Sequence, residues 1–205
     1  MSDEPLILAT LEYEGRELIH NDLISSAFHL KERIEKARET GDMKGIGLDV
    51  MAAVTMTAFA YEAYLNFVGF TAIKDFVEHQ AGWKKRDQIM KQLGIDWQKD
   101  VRPFSTIDRL IQVRDTMAHG KPRLVKDEWE AIGTHSQLEE QIQNFRTGIE
   151  AVVNYELLKD AYDDVEQVWR MMLQAAKIEL FETLDGGMSG ITFKEFVDPK
   201  GVSTS

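Results

Sequence analysis

The chain has 205 residues, of which 43% are hydrophobic and 29% charged, with a formal net charge of −11. That length and balance suit one folded domain with small appendages and exclude a disordered chain. The sequence holds no cysteine, which excludes disulfides and thiolate metal sites and fits a reducing, cytoplasmic compartment.

Residues 1–15, "MSDEPLILATLEYEG", read as an N-terminal extension. The stretch lacks the basic start of a signal peptide and its apolar run is short. No run is expected to reach the ~20 apolar residues of a membrane span, so no membrane partner is expected. Residues 16–40 read as a first helix, because Leu23, Ala27, Leu30, Ile34 and Ala37 recur at spacings of three and four. The glycine-bearing "TGDMKGIG" is a connection.

A second helix is expected over residues 49–70, "DVMAAVTMTAFAYEAYLNFVGF". It is apolar nearly all round, as a buried central helix is. Thr55, Glu62 and Asn66 form a narrow polar line on it. A lone carboxylate there is costly unless paired, so Glu62 needs a cation, and Arg114 is the candidate.

Residues 71–94 are shorter-patterned and more polar, with helix expected in two pieces around Gly82, the better one over residues 83–93. "IDWQKDVRP" is a loop closed by Pro103, which disfavours helix in the residue before it. Ser105 followed by Asp108 resembles a capping box and should open a helix over residues 106–118. "HGKP" should end it, with Gly120 as a left-handed cap. From about Ser136 to Leu180, apolar residues recur in steps of three and four, as one very long helix or as two joined near Gly148. Residues 185–205 read as a tail in which "GITFKEFV" could pair as a strand with "LILATLEY".

The acidity of the whole chain argues against nucleic acid, but its distribution does not. Residues 83–126 hold eleven Lys or Arg against five Asp, a local +6. Whether these share one surface depends on the fold; a solvated run on helix faces is the alternative. Metal chemistry is not expected. "DGGMSGITFKE" imitates a calcium loop, but its third position is Gly187 and Glu195 comes at position eleven, not twelve. The five histidines lack metal-ligand spacing, and there is no nucleophile elbow or Walker loop. No cofactor is expected.

The remaining motif is "STIDRLIQVRDTMAHGKP". As a helix it puts Ile107, Leu110, Ile111, Met117 and Ala118 on one arc, with Val113 at the edge and Arg114 inside it. Arginine cannot shed its charge, so Arg114 requires an anionic side chain or ligand. Five residues on stands His119, a residue type that can move protons. A fixed cation beside a proton shuttle suits chemistry at a phosphate.

"RDTMAHGKP" at a helix end, preceded by the acidic helix "AFAYEAYLNF", resembles the HEPN superfamily. The resemblance spans about residues 16–180, and its specific part is those two stretches. It implies an all-α fold: an up-down four-helix bundle over residues 16–184 with additional short helices, flanked by the small terminal β-pairing. It also implies a metal-independent endoribonuclease centre at a homodimer interface. In that reading Arg114 binds the scissile phosphate, and His119 moves protons while a ribose 2′-hydroxyl attacks. Asp115 fills the family's polar position, and Glu62 and Asn66 are supporting residues. Lys121, Arg123 and Arg109 are the neighbouring cations expected to meet RNA. Many such proteins are toxins restrained by an antitoxin protein, or serve in defence. The same residues admit a second reading, in which the domain is a non-catalytic interaction or nucleotide/RNA-binding module and Arg114 and Glu62 are a buried ion pair fixing helix packing.

Overall fold

The computed structural model describes residues 5–122, 124–145 and 148–197. The chain divides into two compact units, a helical one, Ile19–Glu182, and one formed by the chain on either side of it.

The helical unit contains α1 (Ile19–Thr40), α2 (Ile46–Ala72), α3 (Gly82–Leu93), α4 (Phe104–Ala118), α5 (His135–Asn144), α6 (Ile149–Val152) and α7 (Tyr155–Ala176). α1 packs along α2, α7 packs on α2 and α4, and α3 meets α2. The predominantly helical class expected from the sequence is observed. The first helix starts later than expected, because Arg16 belongs to a strand.

α1 and α2 are joined through Gly45, whose φ of 75° is open to glycine without the penalty a Cβ imposes. Because α2 is covered by four neighbours, twelve of its residues are buried, on no single stripe. One expectation is corrected here. By length and composition α2 is apolar enough to cross a membrane, even with its polar line; within this unit it is the central helix. Its Tyr64 ring stacks on Trp169 of α7 at 4.0 Å, with interplanar angle 7°, and the Tyr64 hydroxyl donates to Glu166 at 3.0 Å. His20 and Phe67 pack edge-on or tilted around the same indole.

The long apolar register after residue 135 is interrupted near Gly148, as the second expectation had it, but into three pieces. Gly148 takes φ 56°, ψ −124°, a conformation essentially closed to other residues. Among the described residues of α5 none is buried, whereas α7 buries Leu157, Leu158, Ala161, Val165, Val168 and Met172. α7 opens on Asn154, whose side chain accepts from the Leu157 N–H at 2.9 Å, an ordinary N-cap. Its buried Asp164 is held by a two-nitrogen fork from Arg102, 2.9 Å from Nε and 3.0 Å from Nη2.

α4 departs from the sequence reading at both ends. The Ser105–Asp108 capping box does not form: the N-cap is Pro103, without a side-chain bond. Asp108 instead accepts from Arg86 Nη1 at 2.6 Å and Trp97 Nε1 at 3.2 Å, and a charge-assisted bond outcompetes a backbone N–H. At the other end Gly120 is not left-handed. His119 itself is the C-cap, its N–H donating to the Asp115 carbonyl at 3.0 Å.

In the other unit, β1 (Ile7–Arg16) and β2 (Gly186–Phe196) pair antiparallel, the terminal pairing foreseen. Ile7 faces Phe196, Leu11 faces Ile191 and Tyr13 faces Ser189, with an irregularity between Leu8 and Ala9. That bulge leaves Phe193 and Phe196 on one side, rings 5.1 Å apart. Period-two alternation thus gives the ribbon one apolar and one largely polar face. Asp185, first position of the apparent calcium loop, accepts a hydrogen bond from the Leu18 N–H.

Candidate functional site

The motif region is built where α4 crosses α2. On α4 the deeply buried side chains are Ile107, Leu110 and Val113, three residues apart; Met117 is half-buried and Ala118 exposed. The buried face is therefore rotated from the expected arc. Val113 is inside it, and Arg114 stands on its rim, with 19% of its side chain exposed. The rotation follows from α4 packing on α7, α2 and α6, so that its α2-facing edge can carry a charge if α2 supplies the opposite one.

It does. Arg114 Nη2 donates to Glu62 Oε1, and Nη1 lies 3.1 Å from Asp115 Oδ1. The Phe59 ring centroid is 6.0 Å from the guanidinium carbon. The cation predicted for Glu62 is thus the one observed. Glu62 also sits beside the first turn of α3, since a Cβ on Gly82 would lie 3.6 Å from its Oε1, and a helix N-terminus favours a carboxylate. The Arg114 Nε is buried and has no hydrogen-bond partner among the described residues.

These groups form one wall of a cleft of about 530 Å³ between α2, α3 and α4. Its floor is apolar, from Leu65, Ile107 and Ile111. Its charged lining balances: Arg86, Lys99 and Arg114 against Glu62, Asp108 and Asp115. Arg86 is gripped by Asp108 and Asp87 and lies over the Trp97 ring, 4.6 Å from its centroid. Tyr61 also lines the cleft. It is 3% exposed, and its hydroxyl has no hydrogen-bond partner among the described residues. Burial drives its phenol far above the ordinary 10.0, so the group is neutral and can donate.

The other sequence-predicted residues are dispersed. His119 is exposed and is not part of the cleft wall. Asn66 is one turn beyond Glu62 on α2, and its Oδ1 accepts from Lys85 Nζ at 2.9 Å. Arg109 and Lys121 are exposed; Arg123 lies outside the described residues. The basic run does not form one free surface, because Arg86, Arg102 and Arg114 are engaged by carboxylates. Tyr61, Trp83, Arg86, Lys99 and Asp108 were missed in the sequence. Their only signals were the position of Tyr61 beside Glu62 and membership of the basic run.

No protein-family model, curated protein or solved structure matches the chain.

Proposed function

We propose that the helical unit is a HEPN-type domain that cuts RNA without a metal, at a site completed when two copies meet. The observation that carries the reading is the arrangement at the end of α4. Arg114 is held between Glu62 and Asp115 at the rim of an open cleft, and His119 stands exposed at the C-cap of the same helix. A guanidinium already fixed in direction needs no reorganisation to meet a phosphate. The histidine is free to reach a substrate lying across the helix end.

In this reading Arg114 binds a non-bridging oxygen of the scissile phosphate. His119 takes the proton of the adjacent ribose 2′-hydroxyl as its oxygen attacks phosphorus. The O2′–P bond forms as the P–O5′ bond breaks, leaving a 2′,3′-cyclic phosphate, and a second acid protonates the departing 5′-oxygen. Two symmetry-related helix ends would supply both the base and that acid, which is why a homodimer belongs to the proposal. The balanced charge of the cleft and the net −11 of the chain leave few cations to neutralise phosphates, so the salt dependence of RNA binding would be shallow.

The test is cleavage of mixed-sequence RNA in EDTA by the full chain, with the product ends identified by mass spectrometry. Wild type should yield cyclic-phosphate ends, and Arg114→Ala and His119→Ala should each reduce the rate by at least ~100-fold. An inactive wild type, or variants as fast as it, rejects the proposal.

One observation favours a second reading, a non-catalytic interaction module of a toxin–antitoxin or defence complex. Arg114 contacts two carboxylates, which is what a purely architectural ion pair would need. That reading expects Arg114→Ala to cost stability with no cleavage to lose.

A further inference from the structure

α5 is a helix without a core. Leu138, Ile142 and the C-cap Phe145 follow one another at spacings of four and three, which puts them on one face, yet none of its described residues is buried. The sequence nevertheless starts this helix firmly. Thr134 and Gln137 form a reciprocal capping box: the Gln137 N–H donates to Thr134 Oγ1 at 3.3 Å, and the Thr134 N–H donates to Gln137 Oε1 at 2.9 Å. A helix of ten residues is marginal in water on propensity and a cap alone, because most helical stability comes from packing an apolar face. The face of α5 lacks its cover.

The segment before α5 enlarges that face. Trp129 is exposed, its ring 4.7 Å from that of Phe145, and Ile132 is fully exposed. Trp129 lines two grooves, one of about 930 Å³ shared with Ile132 and Phe145 and one of about 370 Å³ shared with Leu138 and Ile142. A contiguous exposed apolar patch rimmed by polar groups marks a docking surface, and here charge selects the occupant. Asp127 lines both grooves, with Glu140 in the first and Glu128 in the second, and no lysine or arginine among the described residues lines either. Residues 127–140 hold five carboxylates and no Lys or Arg. Such a rim repels nucleic acid, an anionic membrane and the same face of a second copy, and attracts a cationic partner. The exposed Trp129 and Phe145 rings add π faces for its Lys or Arg side chains.

We infer that the Trp129–α5 face docks a basic amphipathic helix of another protein. The apolar side chains of that helix lie in the two grooves, and its Lys or Arg side chains meet Asp127, Glu128 and Glu140. Such docking is independent of the proposed cleavage, since it needs neither Arg114 nor His119.

The experiment titrates the full chain with a labelled synthetic peptide of about four helical turns, Leu on one face and Lys on its flanks, followed by fluorescence anisotropy. The controls are the same peptide with Glu in place of Lys, and a Lys peptide of scrambled order that has no continuous apolar face. The basic amphipathic peptide should bind with Kd below about 100 μM, and both controls at least about tenfold more weakly. Trp129→Ala should weaken binding about tenfold, as should Asp127→Asn combined with Glu140→Gln. These three residues are exposed, so the circular dichroism of the variants should match wild type. Glu12→Gln combined with Glu14→Gln, which removes the same charge from exposed positions of β1, should leave the affinity unchanged. No binding of the basic peptide at about 100 μM, equal binding of either control, or wild-type affinity in Trp129→Ala overturns the inference. An equal loss in the Glu12 and Glu14 variant overturns it too, by showing that only the overall acidity is sensed. Light scattering that finds a dimer abolished by Ile142→Glu would assign the face to a second copy instead. RNA cleavage intact in Trp129→Ala separates this surface from the cleavage proposal, and each can fail alone.

Discussion

Arg114 and Glu62, fifty-two residues apart in the chain, are joined by a hydrogen bond from Nη2 to Oε1 that ties α4 to α2. Each explains the other's place. Glu62 interrupts an otherwise apolar central helix, and Arg114 interrupts the rim of an apolar face. Their exposures of 35% and 19% put the pair between a surface bridge, worth little, and a buried one, whose breaking costs several kcal/mol. Arg114→Ala should therefore lower stability by about 2 kcal/mol, and Glu62→Gln by less. A double-mutant cycle should return a coupling near ~1 kcal/mol. Urea denaturation of the four proteins measures it. Additive losses would mean that the two side chains do not work as a pair.

A larger loss is expected at Arg102. Its guanidinium is the forked partner of Asp164, whose side chain is only 4% exposed, and it also meets Asp160 at 2.8 Å. Arg102→Ala leaves a carboxylate on α7 with no counter-charge from the segment before α4; because Arg102 is itself 52% exposed, solvent screening holds the cost to about 2–3 kcal/mol. Arg102→Lys, which keeps the charge but not the fork, should recover part of it. Thermal unfolding gives both values. If Arg102→Ala melts with the wild type, the fork contributes nothing to the docking of α7.

Much of this was legible in residue patterns. The apolar spacing of α1 and the all-round hydrophobicity of α2 are read from patterns that burial enforces, whereas the alternation in β1 and β2 marks a ribbon that is itself mostly exposed. The Glu62–Arg114 pairing was legible because one charge interrupted an apolar helix and the other an apolar arc. What escaped were choices made by tertiary competition. Asp108 suits a cap locally, but Arg86 and Trp97 hold it instead. Residues 136–184 keep a helical rhythm through the break at Gly148, yet only α7 uses that rhythm to bury a face. The cleft was invisible, since Tyr61, Lys99 and Asp108 share no motif and meet only because α2, α3 and α4 converge.

α1 and α7 are also linked by a group that titrates. Lys31 Nζ lies 2.9 Å from Glu35 Oε1, which the Tyr155 hydroxyl also reaches at 3.1 Å. The Lys31 hydrogen bond holds the Glu35 carboxyl below its ordinary 4.5, and the same bond raises Lys31 above 10.5. A lowered carboxyl stabilises the fold above pH 4.5, and that contribution disappears as pH falls through the folded value. A raised lysine stabilises below pH 10.5, and its share is lost as pH rises through the folded value. Glu35→Gln should therefore be less stable than wild type at neutral pH, with the gap closing as pH falls below 4.5 and through the folded value. Chemical denaturation across that range checks it, and a gap constant with pH would mean that the charge of Glu35 contributes nothing.

Tyr61 supplies the remaining expectation, one opposite in sign. Tyr61 is a buried residue of α2, and its hydroxyl is shut away without a partner among the described residues. Removing a buried polar atom that bonds nothing relieves a desolvation cost while leaving the packing of the ring intact. Tyr61→Phe should accordingly raise the unfolding free energy of the ligand-free chain by about 1 kcal/mol, where most core substitutions lower it. Urea denaturation of the two proteins measures it. A loss of more than about 1 kcal/mol would show that the hydroxyl is satisfied within the fold.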